Sequence, residues 1–252
     1  MKKSIILLGA GIISTLLVSC SNVGNGKGNG NSGENNNPNS MNFNDYSLET
    51  VINTVKSYWA RETGLSIDFE LTQDHFIIDE DTYDVTEESL KINGEISGKK
   101  DSVWFTIDRV LNGETSPKYG FAAKYDSDKS DAICKSYENY KWVDFDAGTY
   151  DSIEEKALEV FNYFYMSPEI IQNFASYTPD TYVIKSIAGR ECFQFSIDMK
   201  NHGKQIVQTV AFDSKILLPM YINIVDNINP SIVSTTILTV SYFGDAKNEP
   251  SW

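Results

Sequence analysis

The sequence predicts an α+β protein in which a few helices cover one face of an antiparallel sheet. Three observations predict it. Period-two alternation starts at Leu65: Leu65, Ile67, Phe69 and Leu71 point one way, and Ser66, Asp68, Glu70 and Thr72 the other. That is the pattern of a half-buried antiparallel strand. Apolar spacing of three and four residues occurs in only two regions, before Gly64 and between Ser152 and Phe174. No β-α-β alternation and no internal repeat is present, so the strands run in two blocks separated by helices.

The elements follow in order. Leu48, Val51, Ile52, Val55, Tyr58 and Trp59 form a helical stripe that Asp45 or Ser47 can cap and Gly64 stops. After the strand at Leu65 come strands near Leu90–Ser97, Val103–Val110, Tyr119–Tyr125, Asp131–Ser136 and Lys141–Phe145. Ser152 and Glu155 then have the spacing of a capping box, ahead of the stripe Ile153, Ala157, Val160, Phe161 and Phe164. Ser167-Pro168-Glu169 restarts a short helix, with proline at its first position and Ile170, Ile171 and Phe174 inward. Five more strands follow, near Tyr182–Ile187, Cys192–Met199, Ile206–Asp213, Met220–Val225 and Val233–Phe243. Gly189-Arg190, Asn201 to Lys204 and Asp226 to Pro230 supply turns between them.

The chain opens MKKSIILLGAGIISTLLVSCSN. Lys2 and Lys3 make a positive n-region, and Ile5 to Val18 an apolar segment. The segment falls short of the roughly 20 apolar residues that span a bilayer, and fits a signal peptide instead. Leu17-Val18-Ser19-Cys20 resembles the bacterial lipobox. The resemblance implies cleavage before Cys20 and a diacylglycerol and palmitate-type anchor on its thiol. Two or more acyl chains hold a protein stably on a membrane. Ser21 in place of Asp implies no retention at an inner membrane. The expected location is the cell envelope: the outer membrane if the cell has two membranes, the outer face of the plasma membrane if it has one. Residues 21–40 contain sixteen Asn, Gly or Ser. Such a stretch cannot bury apolar surface and is expected to be a disordered tether, reaching about 25 Å. The expected organisation is a signal peptide over 1–19, a lipidated Cys20 and tether over 20–44, and one α+β domain over 45–252.

The chain of 252 residues is 41% hydrophobic, enough for a sizeable core. Its formal net charge is −14, and losing Lys2 and Lys3 with the signal peptide takes the mature chain to −16. That balance excludes nucleic acid as a partner and disfavours adsorption on anionic lipid. Apart from Cys20 there are two cysteines, Cys134 and Cys192. An exported compartment permits a disulfide between them, and two buried thiols are the alternative.

No catalytic constellation stands out, and the protein is not expected to be an enzyme or to carry a cofactor. His75 and His202 are the only histidines and sit among polar residues with no partner at metal-ligand spacing. The run Asp79-Glu80-Asp81-Thr82-Tyr83-Asp84 lacks the glycine and closing glutamate of a calcium loop and is read as a solvated turn. Asp144 and Asp146 lie at a strand end beside Gly148, where Asp is a common turn former.

Two segments carry a family resemblance. Tyr137-Glu138-Asn139-Tyr140-Lys141-Trp142-Val143-Asp144-Phe145-Asp146 resembles a strand and Asp-rich turn before a helix pair. Ala211-Phe212-Asp213-Ser214-Lys215-Ile216-Leu217-Leu218-Pro219-Met220-Tyr221-Ile222 resembles a Phe-Asp, turn, Leu-Pro, strand segment in a last meander. Together with the element order they resemble the LolA-like carriers and glycolipid-binding lipoproteins. That resemblance implies a curved half-barrel sheet wrapped around helices, with an apolar cavity, and a role in lipid or lipoprotein transport. An Arg-Pro-x-x-Phe-Arg segment of the carriers is absent from the early strands.

The expected function is to bind a hydrophobic ligand, an acyl chain or lipid. The lining expected from alternation is Phe69, Phe105, Ile107, Phe193 and Phe195 from strands, with Phe161, Phe164 and Ile170 from helices. The alternative is an interaction lipoprotein with a filled core that meets a protein or polysaccharide through an acidic, Tyr-rich face.

Overall fold

A computed structural model describes residues 48–79, 81–146, 149–161, 182–201, 204–229 and 232–252. The order is α1 (Leu48–Trp59), β1 (Leu65–Ile78), β2 (Val85–Lys99), β3 (Ser102–Leu111), β4 (Glu114–Asp126), β5 (Asp131–Glu138), β6 (Lys141–Asp144), α2 (Tyr150–Val160), β7 (Val183–Ile187), β8 (Arg190–Asn201), β9 (Lys204–Asp213), β10 (Pro219–Asn229) and β11 (Ile232–Gly244). Each strand read from alternation is present, and β1 and β2 run several residues further than the apolar pattern. The restarted helix at Ser167, with Ile170 and Phe174, lies outside the described residues.

All the strands lie in one sheet, ordered β6-β5-β4-β3-β2-β1-β11-β10-β9-β8-β7. Every neighbouring pair is antiparallel. Two meanders, β1–β6 and β7–β11, are therefore spliced edge to edge by β1 and β11. The sheet is not closed, since β6 and β7 remain as its edges. The tight turns have the left-handed residue pairs that match strand twist: Asn112-Gly113 at φ 50° and 81°, Asn139-Tyr140 at 50° and 62°, and Ala188-Gly189 at 48° and 74°.

Helix α2 starts three residues earlier than the Ser152–Glu155 spacing suggests. Thr149 is the N-cap, its hydroxyl accepting from the Ser152 N–H at 3.2 Å, while the Ser152 hydroxyl accepts from the Thr149 N–H at 3.0 Å. Ser152 is thus the third residue of the capping box and not its first; Thr149 reaches the free N–H groups one turn sooner.

Register tracks one apolar face across the sheet. Phe69 pairs with Gly94, which pairs with Ile107; Ile67 pairs with Ile96, which pairs with Phe105. In the other direction, Leu71 pairs with Leu238, Ile222, Val210 and Phe195 in succession. Helix α1 packs on this inner face against β1 and β2, and α2 against β3, β4 and β5. The helices meet each other through Trp59 and Phe161, whose rings lie 6.4 Å apart, and through the Lys56–Glu154 ion pair. Glycines let this packing close. A Cβ on Gly98 would sit 2.4 Å from the Trp59 ring, and one on Gly94 2.3 Å from the Phe69 ring.

Among the described residues the outer face carries one buried aromatic, Trp104, in register with Ser97 and Ala122. Residues 245–252 cross this face. The Trp104 indole N–H donates to the Lys247 carbonyl at 3.1 Å, Lys247 N–H to the Ser66 hydroxyl at 3.0 Å, and the Asn248 amide to Glu95 at 2.7 Å.

Gly94→Ala is expected to lower stability by about 1–3 kcal/mol, because the added methyl overlaps the buried Phe69 ring. Urea unfolding of the variant checks this; an unchanged midpoint would show that Phe69 does not pack there.

Candidate functional site

The inner face is the only place where the residues singled out from sequence converge among the described ones. Phe69, Phe105, Ile107, Phe193 and Phe195 all project from it, by the register given above and the Phe193–Phe212 pairing beside Phe195–Val210. Phe161 joins them at the end of α2 and is fully buried. Phe164, Ile170 and the lipidation residue Cys20 lie outside the described residues. These six residues are between 0% and 7% exposed, so the face is covered as it stands. The covering differs along the sheet. Over β1–β5 it is α1 and α2. Over β8 it includes Tyr182, whose ring sits 4.8 Å from that of Phe193 and 6.0 Å from that of Phe195.

The two ends of the sheet differ in chemistry. The lower end holds the turns at Ala188-Gly189 and 214–218. There the Arg190 guanidinium grips Asp213 through two bonds, at 2.6 and 3.1 Å, and stacks 4.6 Å over the Phe243 ring. The Asp213 carboxylate also accepts the N–H groups of Lys215 and Ile216. This explains the Phe-Asp-turn-Leu-Pro segment without a ligand: Asp213 is 1% exposed and closes the β9–β10 turn. The Arg190 pKa is raised, first by the hydrogen bond to Asp213.

The upper end holds the β1–β2, β3–β4 and β5–β6 turns. Here the apolar phase of the strands turns polar. Gln73 continues the series Leu65, Ile67, Phe69 and Leu71, and it is 2% exposed; its amide reaches Thr236 of β11 at a long 3.5 Å. Gln208 lies two places before Val210 on β9 and is 3% exposed, and Ser234 of β11 is 2% exposed. Gln208 Oε1, His75 Nε2 and Arg109 Nε are buried and have no hydrogen-bond partner. Arg109 pairs in register with Ile92, which pairs with Leu71, so it projects from the same inner face. Sequence reading passed over Gln73, Gln208, Ser234 and Arg109, and took His75 as a histidine among polar residues. The available signal was a polar residue in the apolar phase, Gln73 two places after Leu71 and Arg109 two places after Ile107.

Cys134 and Cys192 are both buried and form no disulfide with each other. Cys134 pairs through Ala123, Val103 and Gly98 to Leu65 on the inner face, and Cys192 pairs with Asp213 near the lower end of β9. Strands β4, β3, β2, β1, β11, β10 and β9 separate their strands. The disulfide alternative is not realised in this structure. Desolvation pushes the Cys192 thiol up to about 11, and it raises Cys134 as well.

Of the acidic groups weighed from sequence, Asp79 accepts the N–H groups of Asp81 and Thr82 and caps the β1–β2 turn; the Thr82 bond leads the lowering of its pKa. Asp144 pairs with Lys135 at 2.6 Å. No cluster of metal-ligating side chains occurs among the described residues, and no described helix is long and apolar enough to cross a membrane.

No family model matches the chain, and no curated protein sequence matches it. Among solved structures it is similar to a β-barrel-like protein of domain of unknown function DUF1849 from Brucella abortus, at 8% identity and TM-score 0.21, covering 73% of this chain and 99% of that one. It is also similar to the hypothetical protein CT021 from Chlamydia trachomatis, at 11% identity and TM-score 0.24, covering 71% of this chain and 91% of that one. Neither likeness is close enough to bear on what this chain does.

Because both thiols are buried and held protonated, native protein at pH 8 is expected to react slowly with iodoacetamide at Cys134 and Cys192. In urea both should alkylate quickly without a reductant. Mass spectrometry counts the adducts; failure to modify either cysteine in urea until a reductant is added would demonstrate a disulfide.

Proposed function

We propose that the protein is an exported lipoprotein, anchored through Cys20, whose sheet curls as a half-barrel and holds an acyl chain or lipid against its inner face. In this reading it carries or presents lipid or lipoprotein at the cell envelope and performs no catalysis. The observation that supports it best is the continuity of the inner face. Its aromatic and aliphatic residues run from β3 across β1 and β11 to β8, while α1 and α2 have their main contacts on β1–β5. The β8–β10 part of the face thus has apolar surface to offer a guest once its cover moves. Burying one acyl CH₂ group there contributes about 0.8 kcal/mol, so a long chain supplies ample affinity.

A second reading has its own observation. Tyr83 and Tyr140 project from upper-end turns at 79% and 86% exposure. A filled core with these aromatics meeting a protein or polysaccharide would account for them.

Two measurements test the proposal. Native mass spectrometry of the chain lacking residues 1–40 is expected to show a co-purified lipid, which organic extraction then identifies. Absence of lipid together with no binding of an environment-sensitive fatty-acid probe would favour the second reading. Separately, metabolic labelling with a fatty-acid analogue is expected to mark the wild type and to be lost in Cys20→Ser; equal labelling of both would remove the anchor.

A further inference from the structure

Strand β1 alternates apolar and polar residues from Leu65 to Thr72, as a strand with one face in the core must. At Phe76-Ile77-Ile78 the alternation stops. Ile77 keeps the phase of Leu71 and lies on the inner side; Phe76 and Ile78 lie on the outer side. The neighbouring strands extend the patch. On β11, Val233 pairs with Phe76 and Ile232 with Ile77, and on β2, Val85 pairs with Ile78. A short run that is apolar on both faces is the pattern of a segment buried on both. This one is not buried: Phe76, Ile77 and Val85 are 37%, 39% and 63% exposed. It also stands clear of the sheet on one side. The β2–β3 ladder begins at Leu90–Leu111, so residues 85–88 have β1 as their one strand neighbour among the described residues. The tail at 245–252 covers the outer face at the opposite end.

The charge around this tip has one sign. Between Arg61 and Lys91 there is no Lys or Arg and there are ten Asp and Glu, so nothing local neutralises the acids. Glu87 pairs in register with Phe76, Glu88 with His75, and Asp74 is two places before Phe76 on the same face. Asp79, Asp81 and Asp84 lie in the turn between the two strands. None of these six forms an ion pair among the described residues. We propose that the β1–β2 tip is a docking surface for another protein, one that offers an apolar cleft bordered by Lys and Arg. A cleft, unlike a flat surface, covers both faces of the hairpin. An apolar centre inside a charged rim is the usual anatomy of such an interface, and opposite charge steers the partners together. A lipid surface fits less well, because the acids of the turn would have to enter it ahead of the apolar residues. A second copy meeting tip to tip would bring like charges together. The assignment does not depend on the inner face holding a lipid.

The test places the photo-reactive residue p-benzoylphenylalanine at Val85 of the full chain, in the cells that make it, and at the exposed Tyr125 of β4 as a control. Irradiation is expected to join Val85, and not Tyr125, to a different protein, at a peptide flanked by Lys or Arg. With that protein purified, raising salt from ~50 to ~500 mM is expected to slow association about tenfold. Glu87→Lys combined with Glu88→Lys, two exposed positions, should slow it by a similar factor at low salt. Phe76→Ser should speed dissociation about tenfold or more. The proposal stands only if the adduct and the charge dependence are both found. No adduct beyond the Tyr125 control overturns it, as does an adduct to lipid, to a second copy, or within the chain itself. Association unmoved by salt and by the Glu87→Lys, Glu88→Lys pair would overturn the basic partner even with an adduct in hand.

Discussion

Everything in the sheet depends on the pairing of β1 with β11. Each meander is locally connected, strand to neighbouring strand, through short turns. Only β1 and β11 join them, through a register that runs from Ser66–Gly244 to Ile77–Ile232. The join is far in sequence: Gln73 and Thr236 are 163 residues apart. Closing a chain over that distance costs roughly 4–5 kcal/mol of loop entropy by the logarithmic rule. Burying Phe69 and Leu71 beside Leu238 and Val240 outweighs it, at roughly 1.5–3 kcal/mol per large side chain. Without this pairing there would be two open sheets and no continuous inner face.

The lower end makes the join hard to undo. Residues following β11 turn back over the outer face and bind Ser66, Asp68, Glu95 and Trp104 of three strands, β1, β2 and β3. On the inner side α1 ends here, with Trp59 seated on Gly98 and its carbonyl accepting from the Lys100 N–H at 2.7 Å. Tyr58 packs edge-on to Phe243, and Arg190 lies over the Phe243 ring while gripping Asp213. Helix, tail and two turns thus converge on one end of the sheet. The upper end has no comparable set of described bonds. Phe76, Ile77, Val85 and Leu111 are left between 37% and 63% exposed there. Stability concentrated at one end leaves the other as the natural place for opening.

Strand existence was legible because alternation is a local consequence of the pleat. A residue such as Phe195 between Gln194 and Ser196 has to face apart from both. That Phe69, Phe105, Ile107, Phe193 and Phe195 share a face was legible for the same reason. The capping box was misplaced by one turn because Thr149-x-x-Ser152 and Ser152-x-x-Glu155 satisfy the same spacing rule, and only backbone geometry chooses between them. The cysteine pair was open because sequence carries no distance between β5 and β8. The seven strands between them emerge only when pairing is followed across the splice.

By itself the sequence determined the alternating strands, the turn residues, the amphipathic stripes of α1 and α2, and the acidic charge of the chain, each of which needs only neighbours a few places away. The tertiary structure decided which strands meet, that the tail covers Trp104, and that Gln73, Gln208 and Arg109 continue the apolar phase of the inner face toward its upper end. The physical reason is that period-two patterning fixes the face a side chain takes relative to its own strand, whereas partners across strands depend on a long-range pairing that many registers of the same pattern could satisfy.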